Sequence, residues 1–179
     1  MRFPCLAAAL FTTAIAFAGS SASPILKSHN EVKMVDQADS RTEDLQVFAD
    51  GRVKYEEAPS LGSKKTYQTR LTAQKLRTLT AMLNGKEMRA VPAKIDSKIK
   101  VLDGRIDKRL EIRHGSSQQV VEIENFYPRL NTEMPAYPRV LVELECTLQE
   151  IQRKATKSPQ PNENDNWCPE FMHQHSSAH

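Results

Sequence analysis

The chain has 179 residues, 39% of them hydrophobic, and 25 Lys and Arg against 22 Asp and Glu give it a formal charge of +3. That length supports one domain with a modest core. The charges are interspersed rather than blocked, which gives no reason to expect a nucleic-acid partner; the somewhat basic stretch from Lys86 to Arg113 reads as a solvated surface.

Arg2 is the only charged residue before Lys27, and the apolar run from Leu6 to Ala18 is shorter than the roughly 20 residues a membrane-spanning helix needs. Residues 1–22 therefore read as a secretory signal peptide. Ala16 with Ala18 and Ser20 with Ala22 offer two cleavage sites, after Ala18 or after Ala22, the second being taken as the boundary. A retained anchor is the competing reading; Thr12 and Thr13 interrupt the run, and no second segment is long enough to span. Cys5 precedes the apolar run, whereas a lipid-modified cysteine would follow it. Removal of the signal leaves roughly 160 residues, destined for a periplasm or the outside of the cell.

Residues 23–42 are polar and mixed in charge without sustained periodicity, so they are expected to form a flexible leader, with a single α+β domain over 43–156. Leu45, Val47 and Phe48, the turn Ala49-Asp50-Gly51-Arg52, then Val53 and Tyr55 predict a hairpin. Tyr67, Thr69 and Leu71 alternate with hydrophilic neighbours and predict an extra strand from about Lys65 to Leu71. Thr72 is placed as an N-cap, and Ala73, Leu76, Leu79, Met82 and Leu83 recur at helical spacing up to Asn84-Gly85. A short strand is expected over Met88 to Val91, followed by a charged, turn-rich segment from Ala93 to Asp107.

A second hairpin follows, with Leu110 and Ile112 answered by Val121 and Ile123 across Gly115-Ser116-Ser117. Three prolines between Tyr127 and Pro138 preclude regular structure there. The last element is an amphipathic helix with Val140, Leu141, Leu144, Leu148 and Ile151 on one stripe. At 100° per residue Cys146 falls nearly opposite that stripe, facing away from the core. Residues 157–179 form a tail rich in Pro, Asn and Ser. In an oxidising compartment Cys146 and Cys168, the two cysteines left in the mature chain, are expected to pair and tether it, a closure worth about 3 kcal/mol. No Asn-x-Ser/Thr acceptor occurs, so N-linked glycans are not expected. The predicted architecture is an α+β fold: an antiparallel sheet built from two hairpins plus an extra strand, packed on two amphipathic helices.

The run Leu45 to Tyr55, the capped helix after Thr72, the Ile112 to Ile123 hairpin and the closing Tyr137-Pro138 with Leu141, Leu144 and Leu148 together resemble exported bacterial proteins classed as domains of unknown function. The resemblance covers about residues 43–155 and rests on structural motifs. It implies an exported single domain and transfers no catalytic residue.

Chemical leads are sparse. Cys168 with His173, His175 and His179 is the nearest approach to a metal-ligand cluster, opposed by the disulfide and by the solvated character of the tail. His114 with Ser116 or Ser117 lacks a nucleophile-elbow pattern, and the carboxylate pairs Asp103/Asp107 and Glu122/Glu124 suit an exposed strand face. No cofactor motif is present. The expectation is a non-enzymatic exported domain that binds a protein or cell-envelope component, with Tyr55, Tyr67, Phe126 and Tyr127 as candidate surface aromatics. The alternatives are a hydrolase-like or metal-dependent enzyme assembled from residues distant in sequence, and metal binding by the tail.

Overall fold

The computed structural model describes residues 23–97, 102, 104–128, 137–157 and 168. Residues 1–22, expected to be a signal peptide, and the tail histidines His173, His175 and His179 lie outside the described residues, as does most of the proline-rich stretch before Pro138. Seven strands run β1 (Leu26–Met34), β2 (Arg41–Val47), β3 (Arg52–Pro59), β4 (Lys65–Arg70), β5 (Lys94–Asp96), β6 (Gly104–His114) and β7 (Ser117–Glu124). Three α-helices accompany them: α1 (Ala73–Asn84), α2 (Lys86–Arg89) and α3 (Arg139–Thr156). The strands form one sheet in the order β4-β3-β2-β1-β6-β7-β5, antiparallel throughout except for the β5–β7 pair. The fold is thus mixed, a mostly antiparallel sheet with helices.

Period-two alternation sorts the sheet into two faces. Leu26, Leu45, Val47, Val53, Leu110, Ile112, Val121 and Ile123 point to the covered side and join Leu141, Leu144, Leu148 and Ile151 of α3, Leu79 and Leu83 of α1 and Met88 of α2 in the core cluster. Each such side chain, once removed from water, contributes about 1.5–3 kcal/mol. Two glycines are sterically required. Gly51, between β2 and β3, has φ +82°, and a Cβ there would lie 3.3 Å from the Leu71 carbonyl oxygen. At Gly104 a Cβ would come within 2.7 Å of the Lys33 carbonyl oxygen, because β6 begins hard against the end of β1.

Several expectations need correction. The segment 23–42 is no leader: it holds β1, the middle strand of the order, hydrogen-bonded to β2 on one side and β6 on the other. The ladder begins at Ile25, whose N–H donates to the Val47 carbonyl (2.8 Å) and whose carbonyl accepts from Arg113 (2.9 Å). The structured part therefore starts well before Glu43. Met88 to Val91 forms no strand; Met88 is the buried residue of the short helix α2. The supposed turn-rich stretch from Ala93 supplies β5 and the first residues of β6. Thr72 does cap α1, its hydroxyl accepting from the Lys75 N–H (3.3 Å). Asn84-Gly85 is expected to stop α1 in the manner of a glycine C-cap, but Gly85 has φ −62° and joins α1 to α2 without the left-handed conformation such a cap uses.

Cys146 and Cys168 form a disulfide, with Cα atoms 5.4 Å apart across a sequence separation of 22. Cys146 is buried, yet it does not belong to the core cluster that its neighbours Leu144 and Leu148 join.

Candidate functional site

The register that aligns the apolar residues also aligns a row of polar ones on the covered face. Lys65, Glu57, Glu43, Asn30 and Lys108 are successive cross-strand partners from β4 to β6, and the row turns apolar only at Ile123 and Ile95. The Lys108 ammonium donates to Asn30 Oδ1 (2.9 Å), Asn30 Nδ2 donates to Glu43 Oε2 (3.1 Å), and Arg41 Nε donates to Glu43 Oε1 (2.6 Å). Helix α3 places Glu145 over this row, its Oε2 2.6 Å from Lys108 Nζ. No donor among the described residues is aligned for a hydrogen bond to that oxygen, so charge alone holds the pair. The Phe126 ring lies 5.4 Å from the same ammonium, a cation–π contact.

Burial is graded along the row. The side chains of Lys108 and Glu145 are 2% and 10% exposed, those of Glu43 and Arg41 13% and 39%, so the network opens to solvent at Arg41. At the buried end the groups engage one another: Lys108 meets Asn30 and Glu145, and Glu43 takes Asn30 and Arg41. Such an arrangement ties α3 to the sheet; it leaves the Lys108 nitrogen engaged and not free to attack. Sequence reasoning missed this cluster, although a signal existed: the alternation that sets Leu110 and Ile112 on one face sets Lys108 there as well.

Tyr55 borders the row and is buried, which pushes its phenol well above the ordinary value near 10, with the Glu43 and Glu57 carboxylates adding to the effect. Below pH 10 both folded and unfolded chains keep this proton; above it the unfolded chain loses its proton first, so stability declines by up to about 1.4 kcal/mol per pH unit. Urea midpoints between about pH 9 and 11 should fall more steeply for the native sequence than for Tyr55→Phe, which cannot ionise.

Three of the four aromatics expected at the surface are not there. Tyr55, Phe126 and Tyr127 are buried, and Tyr67 is half-buried with its ring stacked on Tyr55 at 5.9 Å. The Tyr127 N–H donates to the Tyr137 hydroxyl (2.9 Å), whose ring meets Phe126 edge-on, so these rings pack the end of the core. His114 faces Asn84 Oδ1 (3.2 Å) and Gln119 Oε1 (3.0 Å), and the Ser117 hydroxyl donates to the His114 carbonyl; among the described residues no serine side chain is hydrogen-bonded to the imidazole. Asp103 lies outside the described residues, and Asp107 is held by Arg105. Glu122 pairs with Arg109, and Glu124 with Lys94 and Arg105. No three His, Cys, Asp or Glu side chains among the described residues gather as a metal site. No described helix is long and apolar enough to cross a membrane.

The other face of the sheet is charged. Lys27 pairs with Glu111 (3.0 Å), His29 with Asp44 (2.8 Å), Lys54 with Glu56 (3.2 Å) and Arg109 with Glu111 (3.3 Å), and most of these side chains are 39–49% exposed. A hollow of about 100 Å³ near its margin is lined by Ser23, Pro24, Lys27, Glu111, Arg113 and Gln118. Ligand pockets run to roughly 300–1,000 Å³, so this one suits no substrate of ordinary size.

Large apolar side chains reach solvent at one end of the sheet. Val35, Leu61 and Leu102 are 79%, 72% and 95% exposed. Val35 directly follows β1, Leu61 lies just past β3, and Leu102 sits two residues before β6. Met34 and Gly104 are strand partners, the Ser60 N–H donates to the Ser40 carbonyl (2.8 Å), and the Ser40 hydroxyl accepts from the Met34 N–H (2.9 Å). The loops bearing the three residues are therefore neighbours. No family model and no curated protein matches the chain.

Proposed function

We propose that this chain is an exported, non-enzymatic recognition domain that binds a protein partner through the loops at the Val35–Leu61–Leu102 end of its sheet. The observation that carries the reading is the gathering of exposed aliphatic residues on adjacent loops, since apolar surface held in water marks contact sites more often than it serves the fold. Export is supported by the Leu6–Ala18 run with its cleavage signals and by the Cys146–Cys168 disulfide, which persists in an oxidising compartment. The enzyme alternative would draw on the Lys108–Glu145 row, where the ammonium is engaged by Asn30 and Glu145.

The test is capture of a stoichiometric partner from the native extracytoplasmic fraction by the mature chain, repeated with Val35→Asp and Leu61→Asp. Both positions are exposed, so the variants should fold normally. Loss of capture in the variants supports the reading; undiminished capture, or turnover in a hydrolase screen with no partner found, overturns it.

A further inference from the structure

Strand β4 ends the sheet order, and no strand covers its outer side among the described residues. Lys65, Thr66, Gln68 and Arg70 are exposed and Tyr67 and Thr69 half-buried, and no described strand pairs with the outer edge, where the Arg70 carbonyl is met by Lys154. Around it the charge is one-sided. From Ala58 to Lys86 the sequence contains no Asp or Glu, while Lys64, Lys65, Arg70, Lys75, Arg77 and Lys86 all fall within it. This stretch makes up β4, its preceding loop and α1.

Neighbouring elements supply further cations and pair several of the nearby acids, Glu57 opposite Lys65 excepted. Arg52 and Lys54 of β3 lie opposite Arg70 and Gln68, and Lys154 of α3 donates to the Arg70 carbonyl (3.4 Å). Glu56 is held by Lys54 and Lys64, Asp50 by Arg52, and Glu150 by Lys75. Lys65, Arg70 and Lys154 have no carboxylate at ion-pair distance among the described residues.

We infer that β4 is a docking edge for an acidic, extended segment of a partner protein, which adds an eighth strand beside it. Cations on an edge strand disfavour pairing with a second copy, since two β4 edges would bring a Lys- and Arg-bearing strand against its like. The same charges favour a strand bearing Glu or Asp, whose backbone satisfies the open N–H and C=O groups while its carboxylates meet the unpaired cations. The edge starts beside Leu61, so the inference rests on the recognition reading and extends its contact surface along β4.

Two synthetic peptides test it, one alternating Glu with Val and Thr and one with Lys in place of each Glu, titrated against the mature chain by fluorescence anisotropy and amide hydrogen exchange. The acidic peptide should bind, weaken as salt rises, slow exchange at residues 65–70, and lose at least about tenfold in affinity with Lys65→Glu and Arg70→Glu combined. Unchanged urea midpoints would show that this variant stays folded. Equal binding of both peptides, no binding, or protection elsewhere would overturn the inference. Partner capture that is lost with Val35→Asp but indifferent to Lys65→Glu/Arg70→Glu would sink the docking edge and leave the recognition domain standing.

Discussion

Lys108→Met should destabilise the fold by about 3–5 kcal/mol, a large share of the stability of a chain this size, and Glu145→Leu should cost a similar amount. Each single substitution leaves the other member charged and buried, and Glu145 Oε2 has no hydrogen-bond donor to fall back on. The double variant Lys108→Met/Glu145→Leu removes both charges at once. It should recover most of the loss, because the pair sits against Phe126, Ile123 and the apolar stripe of α3, where two apolar side chains find contacts. Urea denaturation of the four proteins completes the cycle. A single variant costing under about 1 kcal/mol would place the pair in solvent-like surroundings and refute the assignment.

That pair also shows what the sequence conceals. Patterns of apolar residues predict strands only where the covered face is apolar. Leu45, Val47, Val53, Leu110, Ile112, Val121 and Ile123 announce themselves in this way, and all seven are buried. In β1 the covered positions are Leu26, Ser28, Asn30 and Val32, so half of the buried face is polar and no alternation is visible, although Ser28 and Asn30 are as buried as their apolar neighbours. Asn30 is tolerated there because Lys108 and Glu43 meet its amide from the strands on either side. A polar row is legible only once the strands are in register, and register is a non-local property. The aromatics failed for a related reason: residue type does not reveal that Phe126 and Tyr127 are turned inward by the chain leaving β7, with Tyr137 returning to hydrogen-bond Tyr127. The disulfide, by contrast, needed only an expected oxidising compartment and a count of two cysteines beyond residue 22.

A chain begun at Glu43, the start suggested by composition, should fail to fold. It lacks β1 altogether, and β1 is the one strand joining β4-β3-β2 to β6-β7-β5. Without it the ladders to β2 and β6 are both lost, the edges of two three-stranded pieces stand open, and Leu26 and Val32 leave the core. Truncating one buried leucine costs about 2–5 kcal/mol, so losing Leu26 and Val32 together with both hydrogen-bonded ladders removes an amount comparable to the roughly 5–15 kcal/mol that holds a domain together. The expected result is a chain with no cooperative urea transition and collapsed amide dispersion, whereas a chain begun at Ser23 keeps both. The same geometry bears on export. On the proposed export reading, cleavage after Ala18 or after Ala22 would keep the ladder intact from Ile25 onward, with only Ser23 and Pro24 ahead of it after the later cut, and processing a few residues further in would remove part of the strand on which the sheet is assembled. A cooperative transition from the chain begun at Glu43 would show that the two halves hold together through α3 and α1, and would strip β1 of that role.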